Sequence, residues 1–192
     1  MLHLIRRMFG DAASVCWESK EYMVLSIIIA VIVVLRLKTN CKIKGKCYYS
    51  NMRLLTIFIL VIYLSFLYLF TVFRRTSGED FQVNLRVLWA FRMIINGRTR
   101  DIGYGVIGNI VLFVPIGFLF PLARGKKCGK VVVIFGMIVS LVVEFLQLLL
   151  KRGVFEVDDV LHNTIGAIIG YFLFVIYYES VKFIVLHFDF NK

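Results

Sequence analysis

Residues 131–150 read VVVIFGMIVSLVVEFLQLLL, a run whose only polar side chains are Ser140, Glu144 and Gln147. About 20 apolar residues of helix cross the hydrocarbon core of a bilayer. The run shows none of the apolar–polar alternation of a barrel strand facing lipid. It reads as a transmembrane helix, and four similar runs flank it: Tyr22–Leu37, Leu54–Phe73, Val106–Ala123 and Val160–Tyr178. Composition agrees. Of 192 residues, 60% are hydrophobic and 18% charged, where soluble domains average roughly 45–50% and 25%. A soluble domain of this size has too little interior for that much apolar surface. A soluble enzyme, a disordered chain and an outer-membrane barrel are thereby excluded. The expected fold is all-α: a polytopic integral membrane bundle of about five transmembrane helices with one interfacial or re-entrant segment.

Outside the runs, residues 1–21 form an N-terminal segment and residues 22–192 a single membrane domain. In the first, Leu4, Ile5, Met8 and Phe9 recur at helical spacing beside Arg6 and Arg7. This fits an interfacial amphipathic helix and an unanchored terminus equally well. The first apolar run is followed by Arg36, Lys38, Lys42, Lys44 and Lys46 instead of a small-residue cleavage site, so it reads as a retained helix and not a signal peptide. The one long connection, 74–105, holds the apolar stretch Leu85–Ile95, interrupted by Arg86 and Arg92. It is too short to span and reads as the interfacial or re-entrant segment. Ile94-Ile95-Asn96-Gly97 then signals a turn. Cys16, Cys41, Cys47 and Cys128 lack metal-site or redox spacing and read as free thiols in a reducing compartment. No internal repeat is evident, which counts against a transporter with two related halves.

The net charge of +11 would suggest nucleic acid in a soluble protein. Here the basic residues belong to loops that orient the chain and touch membrane lipid, so no nucleic-acid partner is expected. The 38–53 loop carries five Lys/Arg and the 124–130 loop four, both without an acid, whereas 151–159 contains Glu156, Asp158 and Asp159. Short loops rich in Lys and Arg stay in the cytoplasm. That puts the first two loops inside and the N-terminus outside.

With this topology the polar residues gather at one membrane face. Arg74 and Arg75 end the second span, Asn109 opens the third, Glu144 and Gln147 lie near the end of the fourth, and His162 and Asn163 open the fifth. Glu144 is roughly 9 Å inside its helix end, where an acid costs about 2.5–3.5 kcal/mol. Ser140, Glu144, Gln147 and Lys151 share one helical stripe, expected to face the bundle interior, where Asn109, Asn163 or an arginine can satisfy the carboxylate. Intramembrane carboxylates default to functional candidates, and polar residues also bond helices together. Glu156, Asp158 and Asp159 can hold a divalent cation, or Asp158 or Asp159 can cap the fifth span. No residue is assigned to a metal and no cofactor is expected. Pro115 frees the Val111 carbonyl and bends the third span. Gly166 and Gly170 fit close helix packing.

Three blocks in order resemble the VanZ-like family. Asn109-Ile110-Val111-Leu112-Phe113-Val114-Pro115-Ile116-Gly117-Phe118 is similar to its N-x-L-F-x-P-x-G-F core. Ser140-x3-Glu144-x2-Gln147 resembles a second block, and Asp158-Asp159-Val160-Leu161-His162-Asn163-Thr164-Ile165-Gly166-x3-Gly170-Tyr171 a third. Arg74 or Arg75 with Asn84-Leu85 is similar to the family's arginine and N-L-x-P-F stretch, although the proline is absent. Glu156 stands where an aspartate is usual. The resemblance runs from about 74 to 178.

It implies a multi-pass protein of the bacterial cytoplasmic membrane, an accessory factor that lowers sensitivity to the lipid-tailed glycopeptide teicoplanin. Joined to the residue pattern, it gives a substrate-binding pocket at the outer face. Glu144 and Gln147 form its floor, Asn84, Asn109 and Asn163 line it, and Arg74, Arg75, Asp158 and Asp159 form its rim. A lipid-linked envelope precursor or a lipoglycopeptide is the expected partner. The alternative is an integral-membrane enzyme on a lipid-linked envelope substrate, with Glu144, Asp158 and Asp159 as catalytic candidates and Glu144 as acid or base.

Overall fold

The computed structural model describes residues 14, 19–43, 50–73, 82–95 and 100–189. Helix α1 is Lys20–Ile43, and α2 is Asn51–Tyr68, continued by a π-helical turn at Leu69–Phe73. Strand β1 (Gln82–Asn84) and the short helix α3 (Trp89–Ile95) come next. They are followed by α4 (Arg100–Arg124), α5 (Gly129–Leu149), β2 (Val154–Glu156) and α6 (Val157–Asp189). Five of these helices are long and apolar enough to cross a membrane: α1, α2 with its π turn, α4, α5 and α6. Most overrun the apolar stretches read from sequence. Helix α6 has 33 residues, about 50 Å at 1.5 Å each. A helix satisfies its own backbone, so it has no reason to stop where its side chains turn polar.

Helices α4 and α6 run parallel in close backbone contact. A Cβ on Gly166 would overlap the Ile110 carbonyl, one on Gly170 the Val114 carbonyl, and one on Gly117 the Ala167 carbonyl. Small residues let helices approach this closely in lipid, where packing drives association. Beside them, Leu67 and Val72 of α2 and its π turn meet Phe113 and Ile116 of α4 and Val143 of α5 in the buried core. The opposite side of α5 shows Ile134, Ile138, Leu141, Val142 and Phe145 to the outside, the face that lipid covers. Helix α4 runs unbroken through Pro115 and Pro121. The Tyr63 hydroxyl donates to the Leu112 carbonyl at 2.7 Å, next to the Val111 carbonyl that Pro115 cannot serve.

Two short strands were not expected from the sequence. Strands β1 and β2 pair in parallel, Gln82 opposite Val154 and Asn84 opposite Glu156. Three-residue strands are too short to leave a periodic signature. The ribbon ties the 74–105 connection to the α5–α6 turn. At the same end the Tyr22 and Phe73 rings lie 5.1 Å apart. At the other end, Arg53 abuts Gly125 and Lys127 pairs with Glu179.

Candidate functional site

The inward stripe of α5 is Val132, Gly136, Ser140, Val143, Glu144 and Gln147, all buried. Glu144 and Gln147 are each 1% exposed. The stripe ends in a Schellman cap. The Arg152 N–H donates to the Gln147 carbonyl at 2.8 Å and the Lys151 N–H to the Leu148 carbonyl at 3.1 Å. Lys151 occupies the left-handed position, φ 52°, that glycine usually takes. This tight reversal brings β2 back beside α5, and the Glu156 N–H donates to Glu144 Oε2 at 3.1 Å. A buried carboxylate is thus met by a backbone donor twelve residues on.

Gln147 Nε2 donates to the Thr71 carbonyl at 3.3 Å, within the π turn. Arg152 donates to the Phe73 carbonyl at 2.6 Å, with its guanidinium over the Phe73 ring. The end of α2 is therefore fastened to the end of α5. Arg74 and Arg75, the next residues, lie outside the described residues, as does most of the 1–21 segment. Arg152 is a member of this cluster that the polar pattern of the sequence does not single out. Its position at the foot of the Ser140–Glu144–Gln147 stripe was the available signal.

Asp158 corrects one expectation. Helix α6 already begins at Val157, so neither Asp158 nor Asp159 is its N-cap. Instead Asp158 Oδ1 accepts from the Leu88 N–H at 2.6 Å and Oδ2 from the Ala90 N–H at 2.9 Å. The side chain is 2% exposed and caps α3, a helix some seventy residues away. A carboxylate at a helix N-terminus meets both free N–H groups and the positive dipole end. It also holds Leu88 at φ 59°, a conformation costing a non-glycine residue about 1–2 kcal/mol.

Asn163 donates from Nδ2 to Ser140 Oγ at 2.8 Å, joining α6 to α5. Its Oδ1 is buried and meets no hydrogen-bond partner among the described residues, and the same holds for His162 Nδ1. His162 Nδ1 stands 4.0 Å from Asp159 Oδ1. Asn109 is half-buried on α4, next to the Ile110 carbonyl that Gly166 abuts. Asn84 ends β1 opposite Glu156, and its Oδ1 accepts from the Arg86 N–H at 3.2 Å. Among the described residues no group of three or more His, Cys, Asp or Glu is placed to hold a metal ion. Both oxygens of Asp158 are already engaged by backbone donors.

These features define a multi-pass helical membrane protein with buried polar side chains collected at one end of its bundle. Residues 54–178, about two thirds of the chain, match the family described as VanZ/LLP1, and the chain belongs to that family. The match begins at α2, upstream of the blocks that carried the resemblance. Comparison with curated proteins and with solved structures gives no match.

Proposed function

We propose that this VanZ-like protein is an accessory factor that lowers sensitivity to teicoplanin, acting at the outer face of a bacterial cytoplasmic membrane. The polar cluster receives the lipid-tailed drug or a lipid-linked surface component. The carrying observation is Glu144: a carboxylate buried in a membrane-spanning helix, accepting from a backbone N–H of the turn that follows. Gln147, Asn163 and Ser140 continue the same inward surface. Asn84, Asn109 and Asp159 contribute to its surroundings, and Asp158 fixes its outer wall. Teicoplanin carries an acyl chain that anchors it in the membrane and vancomycin does not, so a site at the membrane face distinguishes them.

The test is susceptibility to both drugs in a sensitive Gram-positive host expressing the wild type or Glu144→Gln at matched membrane levels. Wild type is expected to raise the teicoplanin threshold alone, and Glu144→Gln to abolish that. Unchanged teicoplanin susceptibility with wild type overturns the reading.

A second reading, an integral-membrane enzyme acting on a lipid-linked envelope substrate, draws on His162. Its buried Nδ1 lies near Asp159 with no hydrogen bond among the described residues, an acid–base group in search of a proton partner. Glu144 is then the second acid or base. Membrane vesicles supplied with radiolabelled lipid-linked precursors test it: no product beyond that of Glu144→Gln vesicles removes it.

A further inference from the structure

The 82–95 segment, QVNLRVLWAFRMII, has no acidic residue and two arginines. Both Arg86 and Arg92 are exposed. So are apolar side chains that a water-facing loop has no reason to display: Val83, Leu85, Val87, Leu88 and Ile95, with Leu85 at 66% and Ile95 at 67%. A cleft of about 560 Å3 opens between Arg86, Val87, Trp89, Arg92 and Met93. The segment is not a loose loop. Its start is paired into the β1–β2 ribbon, Asn84 accepts from the Arg86 N–H, and Asp158 accepts from the N–H groups on either side of Trp89. Those anchors belong to the end of the bundle where α6 begins, so the segment sits at the level of the membrane–water interface.

Apolar side chains, a tryptophan and cations on one rigid element match the chemistry of that interface. The apolar groups enter the acyl boundary, the indole sits at headgroup depth, and arginine meets phosphate through its planar fork. We propose that Arg86 and Arg92 hold the phosphate of an anionic phospholipid in the cleft beside Trp89, making residues 82–95 a lipid-headgroup clamp. The occupant is set by charge complementarity: two exposed guanidinium groups and no carboxylate within the segment. The clamp stands on this segment alone and does not depend on which ligand Glu144 serves.

Tryptophan quenching tests it on the full chain. The sequence has two tryptophans, so Trp17→Phe leaves Trp89 as the reporter. The variant is reconstituted in phosphatidylcholine vesicles containing either phosphatidylglycerol or phosphatidylcholine with brominated acyl chains. Bromine quenches at short range, so basic loops at the opposite face do not contribute. Both lipids are expected to quench Trp89. Phosphatidylglycerol should associate about tenfold more strongly. Arg86→Gln/Arg92→Gln should reduce that preference to about one while leaving quenching by phosphatidylcholine and the helical circular dichroism intact. Equal quenching by the two lipids in the Trp17→Phe protein overturns the clamp, as does a preference that survives the double substitution. No quenching by either lipid also overturns it, and would mean that the apolar tip meets a protein partner instead. A double variant that loses helicity is replaced by Arg86→Lys/Arg92→Lys. That pair keeps the charge and should retain part of the preference, and an unchanged preference would show that the fork geometry is not used.

Discussion

Lys151 holds a backbone conformation that suits glycine, and its two cap bonds depend on it. Lys151→Gly is expected to stabilise the protein by about 0.5–1 kcal/mol, since removing a left-handed Cβ outweighs the added freedom of the unfolded chain. Thermal unfolding in detergent reads this as a raised midpoint. Asp158→Ala has the opposite sign. It leaves the Leu88 and Ala90 N–H groups without their acceptor, a loss of about 1–3 kcal/mol for buried donors. Amide exchange at residues 88 and 90 should accelerate while exchange within α5 does not. The sequence showed Asp158 as an acid at a helix start, which suggested a cap. It could not show that the capped helix is α3, because that depends on the ribbon bringing distant segments together. Glu144 was legible as a buried carboxylate from the insertion cost alone. The Glu156 backbone N–H that it accepts from leaves no mark in any side-chain pattern.

Glycines in α4 and α6 separate two roles. Gly166→Ala and Gly170→Ala drive a methyl into the facing backbone and should part α4 from α6, costing about 1–3 kcal/mol as overpacking does. A Cβ on Gly105 meets nothing within 4 Å, so Gly105→Ala should be neutral or gain up to about 1 kcal/mol of helix propensity. Steric-trapping or denaturant unfolding of the three variants checks the order, and a destabilised Gly105→Ala would contradict it. Element positions were largely legible: each apolar run corresponds to a helix, because length and hydropathy alone determine what can cross a bilayer. The ends were less legible, since interfacial turns of α1 and α6 contain polar residues. The β1–β2 ribbon was invisible for the same reason that it matters: its pairing is between segments far apart in the chain.

Across the whole molecule the two ends of the bundle differ in character. One collects carboxylates, amides and the ribbon, while the other carries Arg53, Arg124, Lys126, Lys127 and Lys130. The hydrogen bond from Lys127 to Glu179 holds the lysine pKa above its ordinary value of 10.5. A raised folded-state pKa stabilises fully below the unfolded value and fades as pH rises through the folded one. The advantage of wild type over Lys127→Met in thermal midpoint should therefore be constant from neutrality to near 10.5 and disappear above it. Because both side chains are well exposed, that advantage should be small. The charge asymmetry also sets orientation. Reporter fusions within 124–130 are expected to be active in the cytoplasm, and an external signal would reverse the topology.

The bond between Glu144 and the Glu156 N–H has a consequence for biogenesis. Thr71, which Gln147 meets, is made before α5, whereas Glu156 and Asp158 are made after it. At about 5–20 residues per second, the carboxylate leaves the ribosome roughly a second ahead of this donor. For that interval this bond is absent, and the strongly apolar remainder of α5 favours the entry of Glu144 into the bilayer. The Glu144–Glu156 and Asn163–Ser140 bonds both join α5 to residues made after it, so this part of the polar cluster closes only once α6 has followed α2, α4 and α5 in synthesis.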